Sequence, residues 1–315
     1  MSAAPPPAEP PPAEPPPAEP LAGSPQHRPR PGEWVAGARP RTLPAALVPV
    51  AVGIAVADAE ASVVWWRAAL ALVVSLAIQV GTNYANDYSD GVRGTDEARV
   101  GPVRLVAGGL ARPAAVRAAA VGAFGVAGAC GLALAVAVSP WLVLVGAACI
   151  AAGWLYTGGP RPYGYAGYGE VFVFAFFGLV ATAGTAYVCA GAFEWASVVA
   201  GVPVGLFAVA LLVVNNLRDI ATDARSGKRT LAVRLGDGPT RLLYLACIFT
   251  GAAACAALFP WRPLALVGVA AIVPAIPPLR IVRGGATGRS LVAALVKTGL
   301  AQLALGALLV IGLVL

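Results

Sequence analysis

From Trp34 to the C-terminus the chain is a succession of apolar runs separated by short polar stretches, and that pattern admits few folds. The runs cover approximately 43–57, 67–85, 114–138, 141–156, 169–190, 196–215, 240–259, 263–281 and 291–315. Most approach the roughly 20 residues a helix needs to cross the hydrocarbon layer. Inside that layer backbone polar groups find no water, so each span must satisfy them internally, as a helix does. Hydrophobic residues are 58% of the chain and charged residues 12%, too apolar a balance for a soluble domain of this length. The expected fold is all-α: a polytopic membrane protein, a bundle of about nine transmembrane helices with a cytoplasmic cap over the active site. Runs 141–156 and 263–281 have the least usable length, because Pro140, Pro274, Pro277 and Pro278 interrupt them.

The formal charge of +7 does not point to nucleic acid, because the basic residues fall between the apolar runs. Arg39, Arg41, Arg93, Arg99, Arg104, Arg112, Arg117, Arg161, Arg218, Arg225, Lys228, Arg229, Arg234, Arg241, Arg280, Arg283 and Arg289 all lie on one side when the N-terminus is placed inside. The other side keeps Arg67 and Arg262, and Lys297 sits just inside the last run. The positive-inside bias therefore predicts a multi-pass cell-membrane protein with a cytoplasmic N-terminus and an external C-terminus. Residues 1–32, with three Ala-Glu-Pro-Pro-Pro-like repeats, read as a disordered Pro-rich cytoplasmic tail ahead of a transmembrane domain at 33–315. No obligate protein partner is inferred. The five cysteines lie inside apolar runs without Cys-x-x-Cys spacing and read as small buried hydrophobes. The only histidine, His27, is in the tail, so a metal here must be held by oxygen.

Two polar phrases break the pattern. One ends the second run as Asn83-Tyr84-Ala85-Asn86-Asp87-Tyr88-Ser89-Asp90, followed by Arg93 and Asp96; the other ends the sixth as Asn215-Asn216-Leu217-Arg218-Asp219-Ile220-Ala221-Thr222-Asp223. At about 100° per residue, Asn86 and Asp90 share a helix face, as do Asn215, Asp219 and Asp223. Ionisable groups at membrane depth are expensive and mark function. Crowded carboxylates call for a positive charge between them, and Mg²⁺ is held by one or two carboxylates together with a substrate's phosphate oxygens. Asn86, Asp90, Asp96, Asp219 and Asp223 are therefore the candidate metal residues, with Asn86, Asp90, Asp219 and Asp223 carrying the catalysis. A diphosphate so neutralised is a good leaving group. Arg93, Arg104, Lys228 and Arg229 are candidates for its remaining oxygens, and a long isoprenoid on it would need an apolar slot between helices. Asp87 is a further candidate of less defined role. The plainer readings are helix capping for the acids and an interfacial belt for Tyr84, Tyr88, Tyr156, Tyr163, Tyr165 and Tyr168; the duplication of the phrase favours a site.

The phrases resemble the two aspartate-rich motifs of the UbiA-type intramembrane prenyltransferases. Further strings, Ala38-Arg39-Pro40-Arg41-Thr42, Arg99-Val100-Gly101-Pro102-Val103-Arg104, Tyr156-Thr157-Gly158-Gly159-Pro160, Gly169-Glu170 and Lys228-Arg229-Thr230-Leu231, are similar to the MenA branch of that family, especially its actinobacterial members. The resemblance covers Trp34 to the C-terminus. It implies a nine-helix bundle, Mg²⁺ dependence, and transfer of the group on a polyprenyl diphosphate to 1,4-dihydroxy-2-naphthoate with loss of CO₂, giving demethylmenaquinone. It also implies that Asn86, Asp90, Asp219 and Asp223 hold Mg²⁺ and the diphosphate, with Asn215 and Asp96 supporting and Tyr156 beside the substrate. Arg161, Arg229 and Lys297 are candidates to meet the acceptor's carboxylate. The spacing from Asp90 to Asp96 is longer than in many members of the wider family. Alternatives are another aromatic acceptor (4-hydroxybenzoate, homogentisate or haem), a cation-coupled transporter with the phrases lining its path, or a membrane scaffold.

Overall fold

The computed structural model describes residues 29–59, 63–95 and 104–315. Asp96 and the string from Arg99 to Val103 lie outside the described residues, as does nearly all of the Pro-rich tail.

The described chain is helical throughout. In order it forms α1 (Pro31–Gly37), α2 (Pro44–Ala59), α3 (Trp65–Val92), α4 (Pro113–Ala137), α5 (Trp141–Leu155) and α6 (Gly169–Ala190). It continues with α7 (Trp195–Arg225), α8 (Leu231–Leu235), α9 (Asp237–Leu258), α10 (Pro263–Arg283) and α11 (Ser290–Val314). Among the described residues seven helices are long and apolar enough to cross a membrane, and an eighth forms if the segment 31–59, bent by 55°, counts as one span. The apolar α5, at 15 residues, completes the expected set of about nine. Helix α1 opens with Pro31 at its first position, where the missing N–H costs nothing.

Helix α7 is the axis of the bundle. It packs against α2, α6, α9 and α11, and Ala200, Val204, Phe207, Ala210, Val213 and Val214 lie buried along it. With no water to expel, close packing of small residues holds such helices together. Gly178 on α6 meets α7 so closely that an added Cβ would lie 2.5 Å from Gly205 Cα. Around that contact Phe174–Val180 takes a π-helical turn. Such turns insert an extra residue into a helix and recur at functional sites.

Both polar phrases are helical beyond their apolar runs. Helix α3 continues to Val92 and α7 to Arg225, so the amides and acids project from regular helix. Helices α3, α4 and α5 pack into one group and α2, α6 and α7 into another, with α2 and α6 also touching α3. A long cavity lies between these groups.

Candidate active site

The cavity, of about 320 Å³, runs along α3 from Ala71 to Asp90. That stretch, 19 rises of about 1.5 Å, spans about 28 Å, nearly the thickness of the hydrocarbon layer. Its lower part is apolar, with Leu134, Leu142, Val145, Phe176 and Val188 among its walls. Its other end is polar and gathers Asn86 and Asp90 from α3 with Asn215, Asn216 and Asp223 from α7. The basic residues Arg39, Arg104 and Lys228 line this end too.

Asp90 is the centre of the polar end. It is 3% exposed. Its Oδ2 lies 3.0 Å from Lys228 Nζ and 3.8 Å from an Arg104 guanidinium nitrogen, and its Oδ1 accepts the Tyr165 hydroxyl at 2.5 Å. The ammonium of Lys228 stands 4.9 Å from the centre of the Tyr165 ring, a cation–π contact that adds to the ion pair.

Local chain chemistry puts each partner there. After α7 the chain turns through Gly227, at φ +77°. The Lys228 amide donates to the Asp223 carbonyl at 2.9 Å and the Gly227 amide to that of Ala224. This is a Schellman closure, which needs a residue of left-handed conformation at the Gly227 position. It brings Lys228 back beside Asp223 and across to Asp90. Asp87 anchors the opposite loop: its two carboxylate oxygens accept the Leu105 and Val106 amides at 2.9 and 3.0 Å. Asp87 thus faces away from the cavity and fixes the segment that carries Arg104. The loop 156–168 is tied to the 226–230 turn by the Arg229 amide, which donates to the Tyr165 carbonyl at 3.0 Å. Burial, then the charge of Asp90, push the Tyr165 phenol up from its ordinary value, which keeps it a donor.

The remaining expected residues divide clearly. Asn86 faces the cavity and its Oδ1 accepts the Thr157 hydroxyl at 2.7 Å. Tyr156 lines the cavity and packs edge-on to Tyr163, which stacks on Phe172 at 3.9 Å between centroids. Arg93 is used elsewhere: it donates to the Thr157 and Gly159 carbonyls and braces the loop. Among the described residues the cavity walls include Asn215 and Asp223 but not Asp219. Asp219 lines a separate pocket with Arg218, Thr222, Asp237 and Thr287, its carboxylate gripped by Arg218 at 2.7 Å on both oxygens.

Three expected acceptor residues are not at the cavity. Arg161 is exposed at the tip of the loop after Gly159, and Arg229, next in chain to the inward Lys228, is exposed and turned outward. Lys297 is exposed on α11, whose inward face is carried by Ala294, Thr298 and Ala301. Arg39, by contrast, is on the cavity wall. It is the one described non-glycine residue with positive φ, at 54°, a strained backbone that such residues adopt where surroundings force it. Its signal in the sequence was the Arg-Pro-Arg-Thr string, which carried the family resemblance and topological charge but no site role. Tyr165 stood in the sequence as one of six tyrosines for which an interfacial belt was the plainer reading.

No group of three His, Cys, Asp or Glu side chains among the described residues could hold a metal ion alone. Asp90, Asp223, Asn86 and Asn215 do line one cavity. Hard oxygen donors in that number suit Mg²⁺ when a substrate's phosphates supply the rest of the shell, so the residues fit.

A helical membrane bundle with an acidic, lysine-capped head over a long apolar slot defines an enzyme class that handles an amphiphile with a charged end. Comparison with known proteins agrees. Residues 46–286 match the model of the UbiA prenyltransferase family, and the chain belongs to that family and is a multi-pass membrane protein. It is 50% identical over 271 residues to the 1,4-dihydroxy-2-naphthoate octaprenyltransferase of Mycobacterium tuberculosis, covering 86% of this chain and 93% of that protein. It is 37% identical over 240 residues to the Escherichia coli protein of that name, covering 72% and 75%. Among solved structures, a UbiA homologue from Archaeoglobus fulgidus bound to GPP and Mg²⁺ superposes with a TM-score of 0.65 at 14% identity, covering 90% of this chain and 99% of the other. That likeness is one of fold.

Proposed function

We infer that this protein transfers a polyprenyl group from polyprenyl diphosphate to 1,4-dihydroxy-2-naphthoate, with loss of diphosphate and CO₂, giving demethylmenaquinol, the hydroquinone that a separate oxidation converts to demethylmenaquinone. The observation that carries the reading is near-full-length likeness to dihydroxynaphthoate octaprenyltransferases, joined to a cavity with one acidic end and one apolar end. The prenyl tail lies in the apolar slot toward Leu134 and Val188, and the diphosphate lies at the head among Asn86, Asp90, Asn215 and Asp223. Mg²⁺, when bound there, neutralises the diphosphate and stabilises the charge that develops on its bridging oxygen.

The chain's own residues do the rest. Lys228 and Arg104 take phosphate oxygens, arginine through two parallel donors. Tyr165 holds Asp90 in orientation. As the allylic C–O bond breaks, its electron pair leaves with diphosphate, and the cationic carbon faces the aromatic wall of Tyr156, Tyr163 and Phe172. The electron-rich naphthoate ring supplies the pair for the new C–C bond, and the pair of its C–CO₂ bond returns to the ring as CO₂ departs. Of the three basic residues on the wall, two stand at Asp90; Arg39 is the third and meets the acceptor's carboxylate.

The catalytic unit is residues 33–315, with the polar head on the cytoplasmic side, the N-terminus inside and the C-terminus outside, as the arginine distribution supports. Purified protein in nanodiscs, given a polyprenyl diphosphate, Mg²⁺ and a panel of acceptors, tests the activity by mass detection of the products. Turnover confined to 4-hydroxybenzoate or homogentisate would replace the acceptor assignment.

A further inference from the structure

The second phrase holds a contradiction. On the helical wheel Asp219 lies 40° past Asn215 and 40° short of Asp223, so its backbone faces the sector that both of those line. Its carboxylate nevertheless lies in the separate pocket. The cause is Arg218. Its Nε and Nη2 reach the two oxygens of Asp219 at 2.7 Å each, and Nη2 also reaches Asn215 Oδ1 at 2.9 Å. One guanidinium thus occupies oxygens of two residues of the motif, and it does so in near-complete burial, with the Arg218 and Asp219 side chains each 2% exposed.

We propose that Arg218 is an internal competitor for the second motif, and that it sets the concentration of divalent cation at which the site engages diphosphate. This rests on the reading of the polar head as a Mg²⁺–diphosphate site. A carboxylate whose two oxygens accept a guanidinium fork has surrendered its best-directed lone pairs. The fixed positive charge also repels a second cation approaching the same oxygens. For Asp219 to serve a cation in the main cavity, the Arg218 fork must open, and the side chain must rotate toward Asp223. The free energy of the fork is then subtracted from cation binding. Arg218 is therefore a positioning residue, acting through Asn215 and Asp219 rather than on the reacting atoms. Lys228 stands in the same relation to Asp90 across the cavity but lies on the main cavity wall, where a diphosphate can use it; Arg218 is not among the residues of that wall.

The test is a Mg²⁺ titration of the detergent-solubilised full chain with inorganic diphosphate present, read by thermal unfolding and, separately, by calorimetry. The unaltered protein shows a Mg²⁺-dependent rise in Tm. Arg218→Gln moves the midpoint of that rise to about tenfold lower Mg²⁺, the effect of releasing one charge-assisted hydrogen-bonded pair. Arg218→Lys, which keeps the charge and loses the fork, falls between. In the Asp219→Asn background the shift caused by Arg218→Gln shrinks, because only the Asn215 contact is left to release. A midpoint unchanged or raised in both Arg218 variants overturns the inference; if Arg218→Gln does not fold, Arg218→Lys decides. Should the unaltered protein show no Mg²⁺-dependent rise, the Mg²⁺ reading itself fails, which is a different result from superimposable titrations.

Discussion

Lys228 Nζ stands 3.0 Å from Asp90 Oδ2, and this single pair joins the two halves of the sequence at one end of the bundle. Both side chains are almost wholly buried, at 6% and 4% exposed, and the lysine is locked there by the glycine turn that ends α7. Lys228→Met should cost about 3 kcal/mol of stability, as expected for stranding a buried charge. Lys228→Arg should recover part of it. A double-mutant cycle with Asp90→Asn, read by denaturation, should show strong coupling.

Arg39→Ala should raise the KM for the naphthoate acceptor by about 10–100-fold, the worth of one charge-assisted contact, and leave the KM for prenyl diphosphate little changed. Ala at Arg161, Arg229 or Lys297 should alter neither KM by more than about twofold, because all three are exposed and off the cavity wall. Steady-state kinetics with each substrate varied in turn checks both statements.

Tyr165→Phe removes the hydroxyl that Asp90 accepts and should lower kcat about tenfold. The phenol's proton is held more tightly in the folded protein than in the free side chain, through burial first and the Asp90 charge second. Its contribution is therefore complete below the ordinary phenol pKa and lost only as pH rises through the raised value. The ratio of unaltered to Tyr165→Phe activity should accordingly be flat between about pH 6 and 9.

The apolar slot makes its own prediction. Gly131 and Gly146 line it, and a Cβ added at either meets nothing within 4 Å. Gly146→Leu should therefore fold normally and fill the slot, reducing turnover of long prenyl diphosphates far more than that of geranyl diphosphate. Competition between two chain lengths, with products resolved by mass, measures the shift. At the tight crossing the outcome reverses: Gly178→Ala, whose Cβ would press on Gly205, should lose about 1–3 kcal/mol.

The bundle and the position of the head were legible in the sequence because membrane spans advertise themselves by length and composition. The polar phrases stood out against them. What was not legible depended on side-chain direction at equal distance along the chain. Lys228 and Arg229 are adjacent, and only the closure at Gly227 decides which one turns inward. Asp219 shares a helical face with Asn215, yet its neighbour Arg218 turns its carboxylate out of the cavity. Arg39 was marked by the Ala38–Thr42 string but not as a cavity residue, because its strained φ is a property of the folded chain alone. Asp87, one residue from the cavity-lining Asn86, proved to be the anchor of the Leu105–Val106 amides.

The central claim is that the Asp90 head and apolar slot together perform decarboxylative prenylation of the naphthoate. The most direct test is a single-turnover assay of purified protein with polyprenyl diphosphate, 1,4-dihydroxy-2-naphthoate and Mg²⁺, following demethylmenaquinol, read as demethylmenaquinone after oxidation of the extract, beside Asp90→Asn with its fold confirmed by circular dichroism. Product formation by the unaltered protein and near-complete loss in Asp90→Asn is the expected result. Undiminished product from Asp90→Asn, or none from the unaltered protein with this acceptor, would contradict the account.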